Sequence, residues 1–188
     1  MGVSLAWIAV RGPEPARTLD RLGLAPTGVE SAYPPSQAAV HILPDGWLLV
    51  IAPGCDHRIL HGEALAALSA EAEVVACSVE EHVDFTQSEL WRDGRRVWHL
   101  RHQGEEGDDH LVAEGDLPPS YPRLLAGVAT DYSEDPEVYF HGCIPLLLAK
   151  ERCGFRHDDA EPSFDDGSLK ALQDLRRVAR PWWRRLLS

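Results

Sequence analysis

The residues best placed by type and spacing to do chemistry are Glu80-Glu81-His82-Val83-Asp84, directly after an apolar stretch. Strand ends in α/β sheets gather loops and backbone termini, and binding sites form there. A carboxylate beside an imidazole stabilises its cation, so the trio Glu80, Glu81 and His82 could carry general acid/base work or hold a divalent ion. In an extended chain neighbouring side chains alternate, which sets Glu81 and Val83 against Glu80, His82 and Asp84. A solvated sheet edge is therefore the favoured reading. A small hydrolase using Glu80, Glu81 and His82, with a divalent metal, is the alternative.

Cys55, His57 and His61 offer the N/S donors that zinc prefers. Their spacing matches no strong zinc signature, so no metal is expected outside that alternative, and no cofactor is expected at all. His99 and His102 fall on opposite faces of a regular strand. His99 is better placed with Arg101 and, from a neighbouring strand, Gln87, Glu89 and Trp91, as a polar groove with one aromatic anchor. His141-Gly142-Cys143 invites a thiol-nucleophile reading, but a third, orienting residue is missing and Cys143 reads as a buried residue at a helix start. Asp108-Asp109-His110 and His157-Asp158-Asp159 resemble loose cation collectors.

The terminal Arg180-Pro181-Trp182-Trp183-Arg184-Arg185-Leu186-Leu187 combines indoles with guanidiniums. Trp182, Trp183, Arg184 and Arg185 are expected to lie across the chain's own acidic surface or against a partner, where indoles supply apolar area and arginines paired hydrogen bonds.

The elements that must position these groups can be traced along the chain. Ser4–Val10 is apolar with β-branched and aromatic members, and reads as an internal strand ended by Arg11-Gly12-Pro13. A short helix follows over Pro15–Leu22, stopped by Gly23. Residues 24–45 hold five prolines and glycines before Asp45-Gly46 and read as a loop, with one extended piece at Ala39–Leu43. Gly46–Ala52 is apolar without alternation, which calls for cover on both faces. A helix over Gly62–Ala70 and a strand over Ala72–Val79 complete a β-α-β-α-β order. Phe85–Trp91, Arg95–His102 and His110–Ala113 form a meander, with a hairpin at Asp93-Gly94. Beyond Pro118-Pro119 helices are predicted at Tyr121–Ala129, Ile144–Arg152 and Ser168–Arg180, the last from the stripe Leu169, Leu172, Leu175 and Ala179. The fold class is α+β. It is a single domain over 1–188 with a mixed or antiparallel sheet in 1–117 and a mainly helical layer in 118–188.

A chain of 188 residues buries enough surface to fold without metal or disulfide support. Thirty acidic against eighteen basic side chains give a net charge of −12, and residues 105–166 alone carry sixteen acidic and four basic groups. Such a body repels a phosphate backbone, so nucleic acid is not an expected partner. No stretch reaches the roughly 20 apolar residues of a membrane span. No CxxC pair exists, and a cytoplasmic location with free thiols is expected. The composite reading is a noncatalytic protein-binding module, an inhibitor or immunity-like partner for a basic protein, with a structural homo-oligomer as a further alternative.

Val74-Val75-Ala76-Cys77-Ser78-Val79-Glu80-Glu81-His82-Val83 continues through Trp91-Arg92-Asp93-Gly94 to Val97-Trp98-His99-Leu100-Arg101-His102. With Trp7-Ile8-Ala9-Val10-Arg11-Gly12 and Leu22-Gly23-Leu24, this pattern resembles an uncharacterised bacterial family of small acidic soluble domains. The resemblance covers roughly the first 115 residues. It implies a bacterial source and a small soluble domain, and it assigns no activity to Glu81, His82 or the tryptophans.

Overall fold

Between Leu5 and Val10 no side chain is polar, and such a run persists as a strand only where both of its faces are covered. The computed structural model, which describes residues 2–128, 140–164 and 166–176, gives β1 (Ser4–Arg11) that environment. Ala6, Ile8 and Val10 enter one apolar core while Leu5, Trp7 and Ala9 enter another. β1 lies between β4 (Leu48–Pro53) and β5 (Glu73–Glu80), both antiparallel to it and both nearly fully buried. The expectation of cover on both faces of the 46–52 strand is met.

The first core is closed by α1 (Pro15–Leu22) and α2 (Gly62–Ser69), through Leu19, Leu22, Leu65 and Leu68. Pro15 sits in the first turn of α1, where its missing N–H is not needed, and Gly23 ends it with φ 66° in the left-handed region. The opposite core is closed by α3 (Tyr121–Ala126) and α4 (Ile144–Cys153), with Ile144, Leu146, Leu148 and Ala149 facing the sheet. Phe155, just past α4, meets Trp7 edge-on at 5.1 Å.

β6 (Phe85–Arg92) and β7 (Arg95–Gln103) form the expected hairpin, and β8 (Val112–Gly115) adds a third antiparallel strand. Asp93 and Gly94 both have positive φ, 50° and 71°, the pair of values a two-residue type I′ turn requires. Trp98 and Leu100 are buried on one face of β7 and Val97, His99 and Arg101 are half-buried on the other, as their alternation predicts.

Two expectations are corrected. Residues 24–45 are not merely a loop with one extended piece: β2 (Leu24–Glu30) precedes β3 (Ala39–Ile42). β2 is a sheet edge whose register breaks between Pro26 and Glu30, the position in a sheet where proline and glycine are tolerated. In the described part of the helix expected over Ser168–Arg180, residues 168–176, the chain instead forms β9 (Lys170–Asp174), lodged between β2 and β3, and residues 177–180 lie outside the described residues. Leu169, Ala171 and Leu172 are buried while Leu175 is exposed, so the helical stripe is broken by pairing with two strands. The order across the sheet is β2-β9-β3-β4-β1-β5-β6-β7-β8, antiparallel at every pair. Because β9 comes from the part of the chain expected to be helical, the sheet draws on both parts, and the α+β architecture is one domain. Among the described residues no helix is long and apolar enough to cross a membrane.

Candidate functional site

β5 delivers Glu80 at its last position, and a 3-10 turn over Glu81–Val83 carries the chain into β6. Asp84 closes the turn at φ 48°, a left-handed conformation that aspartate visits more readily than most side chains. The turn, rather than strand alternation, decides where the polar groups go. Glu80 and His82 stay together, with Oε1 2.6 Å from Nδ1, and His82 is 61% exposed. Hydrogen bonds from Ser4 and His82 hold the Glu80 carboxyl below its usual range. Glu81 turns away from them. Its Oε2 accepts the Val3 N–H at 2.8 Å and its Oε1 lies 3.2 Å from His157 Nε2. Burial acts to raise the Glu81 carboxyl, but the Val3 N–H and His157 prevail and lower it. Glu80 thus pairs with His82 and Glu81 with His157, so the three side chains do not share one contact.

The second pair opens onto a cavity of about 210 Å³ between the 81–84 turn, the start of α4 and the segment after it. Asp84, Thr86, Cys143 and His157 line it, with apolar walls from Phe85, Phe140 and Leu146. Behind Asp84 stands His102, fully buried, its Nε2 3.2 Å from Asp84 Oδ2 and its Nδ1 2.7 Å from the His110 carbonyl. Both neighbours only accept, so both contacts are hydrogen bonds only when each ring nitrogen carries a hydrogen. Thr86 donates to the Gly142 carbonyl at 2.7 Å and ties the start of α4 to β6. A side chain at 142 would meet the Phe140 ring at 2.5 Å and the His102 ring at 3.0 Å, so any larger residue here has to displace Phe140. Burial pushes the Cys143 thiol up, and the charges of Asp158 and Asp84 add to that, although Arg156 and a backbone hydrogen bond oppose them. A thiol held protonated is a poor nucleophile, which disfavours His141-Gly142-Cys143 as a reactive unit. Tyr33 donates to the His157 carbonyl at 2.5 Å, and its phenol is raised by burial and by Asp158, Glu81 and Asp159.

The remaining candidates are placed as follows. Glu89 and His99 are direct cross-strand partners, as are Gln87 and Arg101. Glu89 is buried and accepts from Trp91 Nε1 at 2.7 Å and Arg96 Nη1 at 3.1 Å, while Arg96 and His99 both approach Glu114 of β8. The polar sheet face thus exists, but Trp91 lies beside α2, 3.9 Å from where a Gly62 side chain would begin, rather than standing as an open anchor. Arg96 and Glu114 complete the network and were not singled out by the sequence. Their signal is the cross-strand register, which depends on the hairpin. Cys55, His57 and His61 are not gathered: His57 Nδ1 accepts from the Ile59 N–H and His61 is exposed before α2. Among the described residues no three His, Cys, Asp or Glu side chains form a metal-holding group. Trp182, Trp183, Arg184 and Arg185 lie outside the described residues.

Among the described residues, fold and site together define an acidic α+β protein built on a nine-stranded antiparallel sheet, with a small cavity of mixed polar and apolar lining beside the β5–β6 turn. No family model, curated protein or solved structure matches the chain.

Proposed function

We propose that this chain is a noncatalytic cytoplasmic binding module for a basic protein, engaged along β8. The observation that carries this reading is the acidic character of that sheet edge. Among the described residues no strand pairs with the outer side of β8, so its outward backbone groups are available to an added strand. Around it Glu105, Glu106, Asp108, Asp109, Glu114 and Asp116 are all exposed, and from His102 to Pro122 there is no lysine or arginine. The same carboxylates repel a second copy of this edge, which disfavours edge-to-edge self-association and leaves a basic strand as the complement. A body of net charge −12 also steers a basic partner toward it. The free cysteines suit a reducing compartment.

The test uses a lysine/arginine-rich β-forming decapeptide and a variant in which Glu105, Glu106, Asp108, Asp109 and Asp116 become Gln or Asn. Glu114 is kept because it pairs with Arg96. The expected result is amide-exchange protection of residues 112–115 on binding, and an on-rate that falls about tenfold or more in the variant and with added salt. Equal binding by both proteins, or protection elsewhere only, would refute the reading.

A further inference from the structure

The half-buried arginines of this protein are, with one exception among the described residues, each matched to a carboxylate. Arg21 pairs with Glu71, Arg58 with Asp174, Arg92 and Arg152 with Glu73, and Arg156 with Asp158. Arg101 of β7 is the exception. It is half-buried, no carboxylate of the described residues pairs with it, and its Nε is shut from solvent without a hydrogen-bond acceptor. A guanidinium keeps its charge in a protein and its Nε–H can only donate, so no choice of tautomer or protonation state satisfies this group. What it lacks is an acceptor. A desolvated charged donor is best served by an anionic one.

The neighbouring carboxylates are engaged elsewhere. Glu89 and Glu114, in the row of the sheet next to Arg101, are both held by Arg96, and Glu80 is held by Ser4 and His82. Directly opposite Arg101 stands Gln87 of β6, whose amide offers a second, neutral donor. The next row on the same face is Phe85 opposite Gln103, two residues along each strand and therefore about 7 Å away. A cavity of about 260 Å³ opens at that row, and Phe85 and Val83 supply apolar wall. Val83 is 46% exposed, so part of this apolar surface has no cover from the chain itself. The cavity is below the roughly 300–1,000 Å³ of sites for drug-sized ligands, and its size suits a short tail.

We propose that this face of β6 and β7 binds a small monocarboxylic acid with a short apolar tail. The carboxylate accepts from Arg101 Nε and the Gln87 amide, and the tail enters the cavity against Val83 and Phe85. Glu80 and Glu105 also line the cavity, so a second negative charge on the tail would be repelled, which selects a monoanion over a dicarboxylate. The site lies on the sheet face rather than along the β8 edge, and it does not depend on the binding-module reading.

The probe is hexanoate, added to the full chain while NMR follows the Arg101 Nε–H and the Val83 methyls. Hexanamide, with the same tail and no charge, and acetate, with the same head and almost no tail, are the controls. Hexanoate is expected to shift both groups saturably, with a dissociation constant on the order of 1 mM for so small a ligand. Each control is expected to bind about tenfold or more weakly, hexanamide for want of charge and acetate for want of buried apolar area. Arg101→Gln is expected to weaken hexanoate about tenfold at the Val83 methyls while its far-ultraviolet circular dichroism stays that of the parent. No shift at Arg101 Nε–H in the parent, equal binding of hexanoate and hexanamide, or undiminished binding by the variant would overturn the proposal. Acetate binding as tightly as hexanoate would overturn it too, because the cavity would then play no part.

Discussion

Glu73 ties three elements together, and its replacement by glutamine gives a measurable, pH-dependent loss of stability. Arg152 of α4 reaches both carboxylate oxygens, Nε to Oε1 at 2.5 Å and Nη2 to Oε2 at 2.6 Å, and Arg92 at the end of β6 reaches Oε2 at 2.5 Å. The Glu73 side chain is 14% exposed, whereas Arg92 and Arg152 are 42% and 37% exposed. Burial acts to raise this carboxyl, but the hydrogen bonds and charges of Arg152 and Arg92 outweigh it and leave the pKa lowered. Hydrogen bonds to charged groups contribute roughly 1.5–3 kcal/mol. Both arginines rehydrate easily once released, so the expected loss for Glu73→Gln is about 1–2 kcal/mol at pH 7. For a chain of this size that lowers Tm by about 2–8 °C.

The sign of the pH dependence follows from the lowered folded pKa. In the unfolded chain a glutamate titrates near about 4.3, so the contribution is fully present above that value. It is lost as the pH falls through the lower folded pKa, where the parent protein is itself neutral at Glu73. Urea unfolding of parent and variant at pH 7 and pH 3 tests this. The gap is expected at pH 7 and should narrow at pH 3. A gap equal at both pH values would show that the effect is one of shape rather than charge, and no gap at pH 7 would show that the cluster contributes nothing net.

Two further outcomes test the packing that holds the site. Gly115→Ala places a Cβ 2.2 Å from the Val97 carbonyl oxygen at a residue with φ 84°, and is expected to cost about 2–4 kcal/mol with faster amide exchange over Val112–Gly115. Unchanged exchange in β8 would refute the close approach. Trp7→Ala empties the fully buried centre of the core against Phe155 and is expected to cost about 3–5 kcal/mol by denaturant titration, whereas Trp7→Phe retains most of that, because the indole N–H makes no hydrogen bond. Equal losses in the two variants would count against packing as the cause.

Much of the scaffold was legible in local pattern. The apolar runs of β1, β4 and β5 have no alternation because helices cover both faces, and the Asp93-Gly94 turn carries the backbone conformation its residue types favour. β2 and β9 were not legible for opposite reasons. Pro26 and Gly28 read as loop because local propensity does not register that an edge strand tolerates them. Leu169, Leu172 and Leu175 fit a helical stripe, and the strand arises because Lys170–Asp174 pairs with β2 on one side and β3 on the other.

At the candidate site the same division holds. That Glu80, Glu81, His82 and Asp84 cluster at a strand end, and that the 105–116 region is strongly acidic, follows from residue order alone, since neighbours in sequence remain neighbours in space. That Glu81 takes His157 rather than His82 as its partner, 76 residues away, depends on a tight turn and on the return of the chain past α4. Contacts of that separation are set by the packing of whole elements, so the charge of this protein was written in its sequence while the pairing of its carboxylates and histidines was decided only when the layers closed.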